Sequence, residues 1–302
     1  MSETKLLRVG VLGPAGTNGH FASDRFRYRF YGALEDSEKV FVSSHGDILY
    51  GLEEGRFDCG VVPIENCTTG LIGDVASFWA GPARSSCIVA EQWVGIRHCL
   101  VGHQATTGIS SFISDARAYE QCRGKIEQSK LLLSNHAVEL AHSTGEAALL
   151  ISQSLVGNGK AAIASRFAAD TYKLSILEAD ISYSNQNATR FHLLCRHDLV
   201  EKFRQGDPVP NNRTILRKRA IAFRLKHEIG AKADVMNLLK FVKANVTCDN
   251  SISLGAPEAY VFYIEFAGCS MPWEEVERIL RGITQELRVA GDFQQCTNIE
   301  YP

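Results

Sequence analysis

The sequence lacks the concentrations of charge or apolar residues that mark a nucleic-acid or membrane partner. Its 32 Lys and Arg residues nearly balance 34 Asp and Glu residues, which gives a formal net charge of -2. It contains neither a basic run suited to nucleic acid nor an apolar run long enough to span a membrane. Residues 1–5 lack the apolar segment of a signal peptide. We therefore expect a cytoplasmic protein that binds neither nucleic acid nor membranes.

The spacing of the nine cysteines excludes the commonest cysteine-based sites. They lie at positions 59, 67, 87, 99, 122, 195, 248, 269 and 296, so no two form a Cys-x-x-Cys pair. The spacing argues against a zinc site, and the odd number argues against a dense disulfide framework. Most of these residues are therefore predicted to be small, buried and apolar, in a reducing compartment.

Length and pattern together predict two domains. The 302 residues are 45% apolar and 22% charged, as in an ordinary globular protein of about two domains. Strand and helix patterns alternate over residues 1–200, which predicts an α/β domain with a largely parallel sheet and a cleft between two sub-domains. Turn-forming residues predict a linker at 201–213. Residues 214–302 follow the βαββαβ order of a ferredoxin-like domain, closed by an edge strand at 293–300.

A glycine-rich turn follows the first predicted strand. The strand at 7–12 runs into residues 13–20, and a helix is predicted from about 21 to 30. A strand, such a turn and a helix start favour an anion site, because free backbone N–H groups can point at a ligand. The spacing is neither a Walker loop nor a dinucleotide loop, so a small carboxylate suits it as well as a phosphate. A tight turn without a ligand is the alternative.

A second polar segment follows an apolar strand that is predicted to break at Pro63. Glu65, Asn66 and Cys67 come just after that strand. Ligands of open α/β sheets bind at the carboxyl ends of the strands, so these side chains are candidate ligand contacts. A polar loop with a helix cap is the alternative.

The third segment, Asn187-Ala188-Thr189-Arg190-Phe191, is predicted to join a polar turn to a short strand at 191–195. Working side chains are often placed at such junctions. A threonine hydroxyl can donate a proton to a leaving oxygen, and an arginine can hold a carboxylate through two parallel hydrogen bonds. Taken alone, this short motif fits a solvated strand edge equally well.

Together the three segments resemble one enzyme family. Gly13-Pro14-x-Gly16-Thr17, Pro63-Ile64-Glu65-Asn66 and Asn187-x-Thr189-Arg190-Phe191 occur in the order and at the spacing of the prephenate dehydratases. Gln121-Cys122, residues 161–165 and a C-terminal ACT domain with Tyr260-x-Phe262 extend the likeness over nearly the whole chain. The resemblance implies a two-lobed catalytic unit like a periplasmic binding protein, with the site between the lobes.

The resemblance also implies a reaction and its residues. Prephenate, or arogenate, would lose its ring carboxylate and its ring hydroxyl, without a metal or an organic cofactor. Thr189 would help the hydroxyl leave, Arg190 would orient or support a carboxylate, and Phe191 would pack beneath the site. The implied substrate-binding residues are Gly16, Thr17, Glu65, Asn66, Cys67, Asn187 and Phe191. A homodimer or homotetramer built through the ACT domains is implied as well.

Several positions depart from the family pattern. The usual Gly-Thr-Phe-Ser is Gly16-Thr17-Asn18-Gly19, and Cys67 replaces a serine. In the first effector motif of the ACT domain, Lys232 puts a charge where an apolar residue would close over phenylalanine. The second motif, at 253–257, lacks the glutamate and arginine of the family. Three alternatives stay open: a non-aromatising prephenate decarboxylase, a non-catalytic ligand-binding homologue, and a structural partner of an aromatic-pathway enzyme. Thr189 favours the dehydratase, since the decarboxylating relatives lack this threonine.

Overall fold

The computed structural model describes residues 6–81, 85–104, 106, 108–183, 186–206, 217–256 and 259–302. No helix within these ranges is long and apolar enough to cross a membrane. All nine cysteines are free, and six of them are buried, as the sequence predicts for most of them.

The first lobe alternates strands and helices around the N-terminal half of a large sheet. Its elements are β1 (Leu7–Leu12), α1 (Asn18–Arg29), α2 (Tyr31–Leu34), β2 (Ser37–Val42), α3 (His45–Glu53), β3 (Cys59–Asn66), β4 (Gly70–Leu71), α4 (Gly73–Phe78) and β5 (Ser86–Gly95). Strand β1 pairs in parallel with both β2 and β3. The Val-rich strands β1 and β3 are mostly buried, which is typical of sheets covered by helices on both faces.

The second lobe is a smaller sheet inserted between β5 and the strand that returns to the first lobe. Its elements are β6 (Cys99–Gly102), β7 (Ile109–Ser114), α5 (Ala116–Ile126), β8 (Leu132–Leu140), α6 (Thr144–Ser152), β9 (Lys160–Ala164), α7 (Arg166–Tyr172) and β10 (Ser175–Glu178). Asp115 caps α5 and Ser143 caps α6, each through a side-chain oxygen that accepts backbone N–H groups. Both caps are predicted by the sequence.

Two chain segments connect the lobes, and hydrogen bonds join them to each other. The chain leaves β5 at Gly95 and returns through β11 (Ala188–Arg196). The N–H of Ile96 donates to the carbonyl oxygen of Asn187 at 2.8 Å, and the N–H of Ile181 donates to that of His98 at 2.9 Å. Asn187 therefore lies at the connection between the lobes.

The C-terminal region has the predicted βαββαβ order. After α8 (Val200–Gly206) come β12 (Arg217–Arg224), α9 (Ala231–Phe241), β13 (Asn245–Ser253), β14 (Tyr260–Ala267), α10 (Trp273–Ile283), β15 (Glu286–Gln294) and the short β16 (Ile299–Glu300). Its two helices cover one face of the four-stranded part of the sheet. The other face packs against α3 and α4, so the region is in direct contact with the first lobe.

One continuous sheet joins the C-terminal region to the first lobe. Its order is β13-β14-β12-β15-β5-β11-β3-β1-β2, with β16 beside β5 and β4 beside β3. β15 pairs with β5 only where Gly291 faces Ile88. A Cβ at position 291 would lie 2.6 Å from the Ile88 carbonyl oxygen, so only glycine allows this approach.

Three expectations from the sequence are wrong in detail. Both sheets are mixed rather than largely parallel, because β11 in the large sheet and β6 in the second lobe run antiparallel to both of their neighbours. β3 does not break at Pro63 but continues to Asn66, since a register shift opposite Pro63 accommodates the missing N–H. The last strand of the βαββαβ unit is β15, and it lies inside the sheet rather than at the edge.

Part of the predicted linker is helical. Helix α8 begins before the linker predicted at 201–213 and occupies its first residues. Phe203 is 1% exposed, and the centre of its ring lies 5.5 Å from that of Phe30 in an edge-on contact. This tertiary contact stabilises α8 where the local sequence predicts a linker. Residues 207–216, which include the turn-rich part of the linker, lie outside the described ranges. The domain boundaries remain predictions.

Candidate active site

Two polar segments that are distant in sequence lie side by side on neighbouring strands. β11 runs between β3 and β5, and its register places Thr189 opposite Asn66 and Arg190 opposite Glu65. The paired residues Asn66 and Thr189 are 123 positions apart in the chain. Thr189 and Arg190 therefore belong to a central strand, rather than to the loop before it as predicted.

The Asn66 side chain joins the two segments. Its Nδ2 group donates to the Thr189 hydroxyl at 3.0 Å, to Asn187 Oδ1 at 2.8 Å and to the Ala188 carbonyl oxygen at 3.1 Å. Its Oδ1 accepts the N–H groups of Thr68 and Thr69. Because both ends of the amide are occupied, its orientation is fixed.

This arrangement leaves the proton of the Thr189 hydroxyl available. Asn66 Nδ2 has only hydrogens to offer, so Thr189 Oγ1 acts as the acceptor in that bond. Within the described ranges, the O–H of Thr189 donates to no other group, and the side chain is partly exposed. The hydroxyl can therefore donate to a ligand while the Asn66 amide stabilises negative charge left on the oxygen.

The second lobe reaches this cluster through Gln121 of α5. Gln121 Oε1 accepts from Asn187 Nδ2 at 3.3 Å and lies 3.2 Å from Nε2 of the buried His98. Since a carbonyl oxygen only accepts, Nε2 of His98 carries the proton, and burial lowers the pKa of this histidine. Gln121 could be found from the sequence because Gln121-Cys122 is part of the resemblance to the family pattern. No sequence feature pointed to His98 as a member of this cluster.

Cys67 lies on the exposed side of the same cluster. The N–H of Ala188 donates to its sulfur at 3.0 Å, and its own N–H donates to the Ala188 carbonyl oxygen at 2.9 Å. Its Sγ is 3.2 Å from the carbonyl oxygen of Gln186. Cys67 is exposed, so a reagent in the solvent can reach it.

The glycine-rich turn at 13–17 makes contacts within itself and with the second lobe. Gly16 has φ of 82°, its N–H donates to Nδ1 of His20 at 3.0 Å, and a Cβ there would lie 3.1 Å from the Tyr172 ring. The Thr17 hydroxyl donates to the carbonyl oxygen of Leu12 and accepts the N–H of His20. These are the hydrogen bonds of a tight turn, and none of them joins Thr17 to the Asn66 and Thr189 cluster.

Phe191 and Arg190 extend beneath the exposed cluster. Phe191 is 4% exposed and packs against α1 at Gly19. The Arg190 side chain is 1% exposed and leaves β11 on the face opposite to Thr189, because successive residues of a strand alternate. Its Nε donates to Glu65 Oε1 at 3.0 Å. The carboxylate that Arg190 holds at this edge is therefore that of Glu65.

Nη1 of the Arg190 guanidinium takes part in a buried charge cluster, which we define as Arg190, Glu65, Glu91, Lys218 and Glu265. Nη1 of Arg190 donates to Glu91 at 2.8 Å and to Glu265 at 2.5 Å. The ammonium of Lys218 lies 2.9 Å from both of those carboxylates. Burial alone would raise the pKa of Glu265, but the charge of Arg190 outweighs it and holds that pKa below its usual range.

The buried charge cluster fills a place that could otherwise hold a metal ion. Ligand atoms of Glu91, His192 and Glu265 lie within 4.8 Å of one another. The cations of Arg190 and Lys218 already neutralise those carboxylates. Burial lowers the pKa of His192 to about 3, so its ring is neutral at neutral pH. The arrangement is therefore an ion-pair cluster in which Glu91 and Glu265 are paired with cationic side chains.

Comparisons with known sequences all point to the same family. The family model described as "Prephenate dehydratase" matches residues 9–199. The bifunctional chorismate mutase/prephenate dehydratase of Escherichia coli K12 is 27% identical over 294 residues, covering 95% of this chain and 70% of that protein. A probable prephenate dehydratase of Saccharomyces cerevisiae is 28% identical over 302 residues, covering 87% and 88%.

Solved structures share the fold over nearly the full length. The prephenate dehydratase of Arthrobacter aurescens superimposes with a TM-score of 0.75 at 21% identity, covering 96% of this chain and 90% of that one. GqqA, described as a novel type of quorum quenching acylase, gives 0.76 at 19% identity, covering 96% and 98%. These identities show the fold alone. The family match over residues 9–199 covers more than half of the sequence, and it shows that the chain belongs to the prephenate dehydratase family.

Proposed function

We propose that this protein is a carbon-oxygen lyase that converts prephenate to phenylpyruvate, with loss of carbon dioxide and water. The observation that carries this proposal is the Thr189 hydroxyl, which accepts from Asn66 and keeps its own proton available between the lobes. The reaction consumes one proton, because the leaving hydroxyl departs as water. Membership of the family supports the same assignment.

In this mechanism the electrons of the breaking bond to the ring carboxylate move into the ring as carbon dioxide leaves. The ring becomes aromatic as the bond to its hydroxyl breaks. Thr189 gives its proton to the departing oxygen, and the Asn66 amide donates to the threonine oxygen as charge develops there. Arg190 orients the Glu65 carboxylate at the edge of the site. Asn187 forms hydrogen bonds with Asn66 of the first lobe and Gln121 of the second, and so holds the two lobes in a fixed relative position.

The assay that tests the function is incubation of the purified chain with prephenate, followed by identification of the product. Phenylpyruvate supports the proposal. A non-aromatic dihydro-hydroxyphenylpyruvate, which has a different ultraviolet spectrum, identifies the chain as a decarboxylase that does not aromatise. Unchanged prephenate together with saturable binding identifies a ligand-binding homologue. Parallel incubation with arogenate decides between the two substrates.

An acylase activity, as described for GqqA, has less support in this site. Acyl transfer requires a nucleophile activated by an adjacent base. The described contacts of Cys67 are with backbone groups and the amide of Asn187, and those of Thr189 are with the amide of Asn66. Amides do not accept a proton as a general base does.

Cys67 provides a chemical test of where the site lies. We expect Cys67→Ser to retain or increase turnover of prephenate, because a hydroxyl accepts the Ala188 N–H better than sulfur does. Alkylation of Cys67 by iodoacetamide should block turnover, since the thiol lies beside Asn187. The Cys67→Ser protein, treated in the same way, controls for modification elsewhere. Full activity after modification of Cys67, verified by mass spectrometry, would remove this residue from the site.

Inhibition by phenylalanine is expected to be weak or absent. The structure of the Arthrobacter enzyme was solved with L-Phe. Here the first effector loop borders a cavity of about 590 Å³, whose lining includes Lys232 and Phe262. The Lys232 ammonium lies 3.0 Å from Asp249 and 5.1 Å from the Phe262 ring centre, so it is paired and partly exposed. Pro257 of the second loop lies outside the described ranges.

Calorimetric titration of phenylalanine beside an activity curve measures this expectation. An effector shifts an equilibrium only by its differential affinity for the two states, and the charged contacts of the family loops are missing here. The matched variant Lys232→Leu restores the apolar residue and should bind phenylalanine more tightly than the parent. Micromolar binding coupled to inhibition in the parent would show that other residues have rebuilt the effector site.

A further inference from the structure

The C-terminal region contributes two charged side chains to the strand that carries Thr189. Lys218 comes from β12 and Glu265 from β14, and both lie in the buried charge cluster with Arg190. Three strands separate β14 from β11 in the sheet order. The contact therefore crosses the face of the sheet, which must curve around the cluster to bring the two strands together.

Glu265 has a single defined position. Its Oε1 accepts the hydroxyl of Tyr263 at 2.7 Å, and its Oε2 accepts from Arg190 at 2.5 Å and lies 2.9 Å from Lys218. The residue is 0% exposed, so water cannot replace any of these partners. Losing the Glu265 carboxylate takes away an acceptor that Arg190, Lys218 and Tyr263 share, so these buried donors must rearrange around the remaining carboxylates.

The pairing of charges in the cluster shows which residue near the site such a rearrangement would affect. Two cations, Arg190 and Lys218, face three carboxylates, and the neutral ring of His192 adds no charge. Glu65 is the partly exposed carboxylate of the three, with 26% of its side chain accessible. Arg190 is shared between this residue and the two buried carboxylates. A shift of the guanidinium would therefore change the hydrogen bond that holds Glu65, the residue opposite Arg190 in the pairing of β3 with β11.

We propose that Glu265 and Lys218 are positioning residues for the active site. Through Arg190 they fix the Glu65 carboxylate and the part of β11 that presents Thr189, so the C-terminal region sets turnover without touching the substrate. This inference rests on the proposed function for its kinetic readout. Its structural consequence, a less firmly held β11, is measurable whatever the substrate is.

The test is Glu265→Gln in the full-length chain, with Glu277→Gln as the matched control. Glu277 belongs to the same region and pairs with Arg281 on α10, away from the charge cluster. A misplacement of about 1 Å can cost on the order of 10²-fold in rate, so we expect Glu265→Gln to lower kcat about tenfold or more with KM little changed. The control should keep the kinetic constants of the parent, and Glu265→Asp should recover part of the loss.

A second variant keeps the test valid if Glu265→Gln does not fold. Lys218→Met combined with Glu265→Gln removes one charge of each sign, so the balance of the cluster is unchanged. We expect this double variant to turn over prephenate faster than Glu265→Gln alone, which a double-mutant cycle records as coupling. Equal or lower activity of the double variant would contradict a role that Glu265 performs together with Lys218.

Hydrogen exchange separates this proposal from the proposed function. In the Glu265→Gln or the double variant, the peptide covering residues 187–191 should exchange faster than in the Glu277→Gln control. If the parent does not turn over prephenate but this difference is present, the function fails and the positioning role stands. If exchange in 187–191 and turnover both match the control, the positioning role is wrong.

Discussion

Replacing Thr189 by valine is expected to lower the turnover of prephenate by about 10² or more, the usual range for loss of an acid catalyst. Valine has nearly the shape of threonine and suits a central strand, so the fold should persist. The Asn66 amide would lose the threonine oxygen but keep Asn187 Oδ1 and the Ala188 carbonyl oxygen. The substitution therefore removes the proton donor and leaves the other hydrogen bonds of the site in place.

Steady-state kinetics with matched variants measures this effect. Thr189→Ser restores a hydroxyl and should recover much of the turnover. Thr284→Val removes a hydroxyl that donates to the Leu280 carbonyl oxygen at the end of α10, remote from the site, and should behave like the parent. Turnover of Thr189→Val within a few-fold of the parent would show that another group protonates the leaving hydroxyl, and the mechanism would be wrong.

Replacing Arg190 by methionine should have the largest effect on stability. It leaves the carboxylates of Glu91 and Glu265 buried with Lys218 as their one remaining cation. Breaking a buried pair by removal of one partner costs about 3–5 kcal/mol in the free energy of unfolding. Denaturant-induced unfolding measures that loss. Arg281→Met, which breaks the partly exposed pair with Glu277, should change it by about 0–1 kcal/mol.

The dependence on pH identifies the origin of that loss. The pKa of Glu265 in the folded protein lies below its usual range, so the stability it contributes is complete above the unfolded pKa of about 4.3. That contribution falls as the pH drops toward the folded pKa. The deficit of Arg190→Met should therefore be largest at neutral pH and shrink below about pH 4. A deficit that stays constant with pH would point to lost packing instead of lost charge.

Local chemistry made most of the elements predictable. The apolar strand at 7–12, the caps at Asp115 and Ser143, and the βαββαβ order after residue 214 all follow from side-chain patterns within a few residues. The polar segments around Asn66 and Thr189 could be found because such residues are uncommon beside buried strands. Their roles as site residues remain predictions until the variants are measured.

Other features could not be found in this way because they depend on pairing between distant strands. Proline favours a strand break, yet Pro63 is accommodated in β3 by the register shift opposite Phe191. Thr189 and Arg190, adjacent in sequence, face opposite sides of β11 and take different environments. Glu91, Lys218 and Glu265 are buried, and nothing within a few residues of them in the sequence identifies the partners that neutralise their charges.

The sequence by itself determined most of the helices and strands, the caps at Asp115 and Ser143, and the polar segments, because each depends on interactions between near neighbours in the chain. The tertiary structure alone decided which strand lies beside which, and hence that Asn66 donates to Thr189 and that Arg190 meets Glu265. The free energy of a hydrogen bond or ion pair depends on distance and burial, and both are set only when the whole sheet has closed.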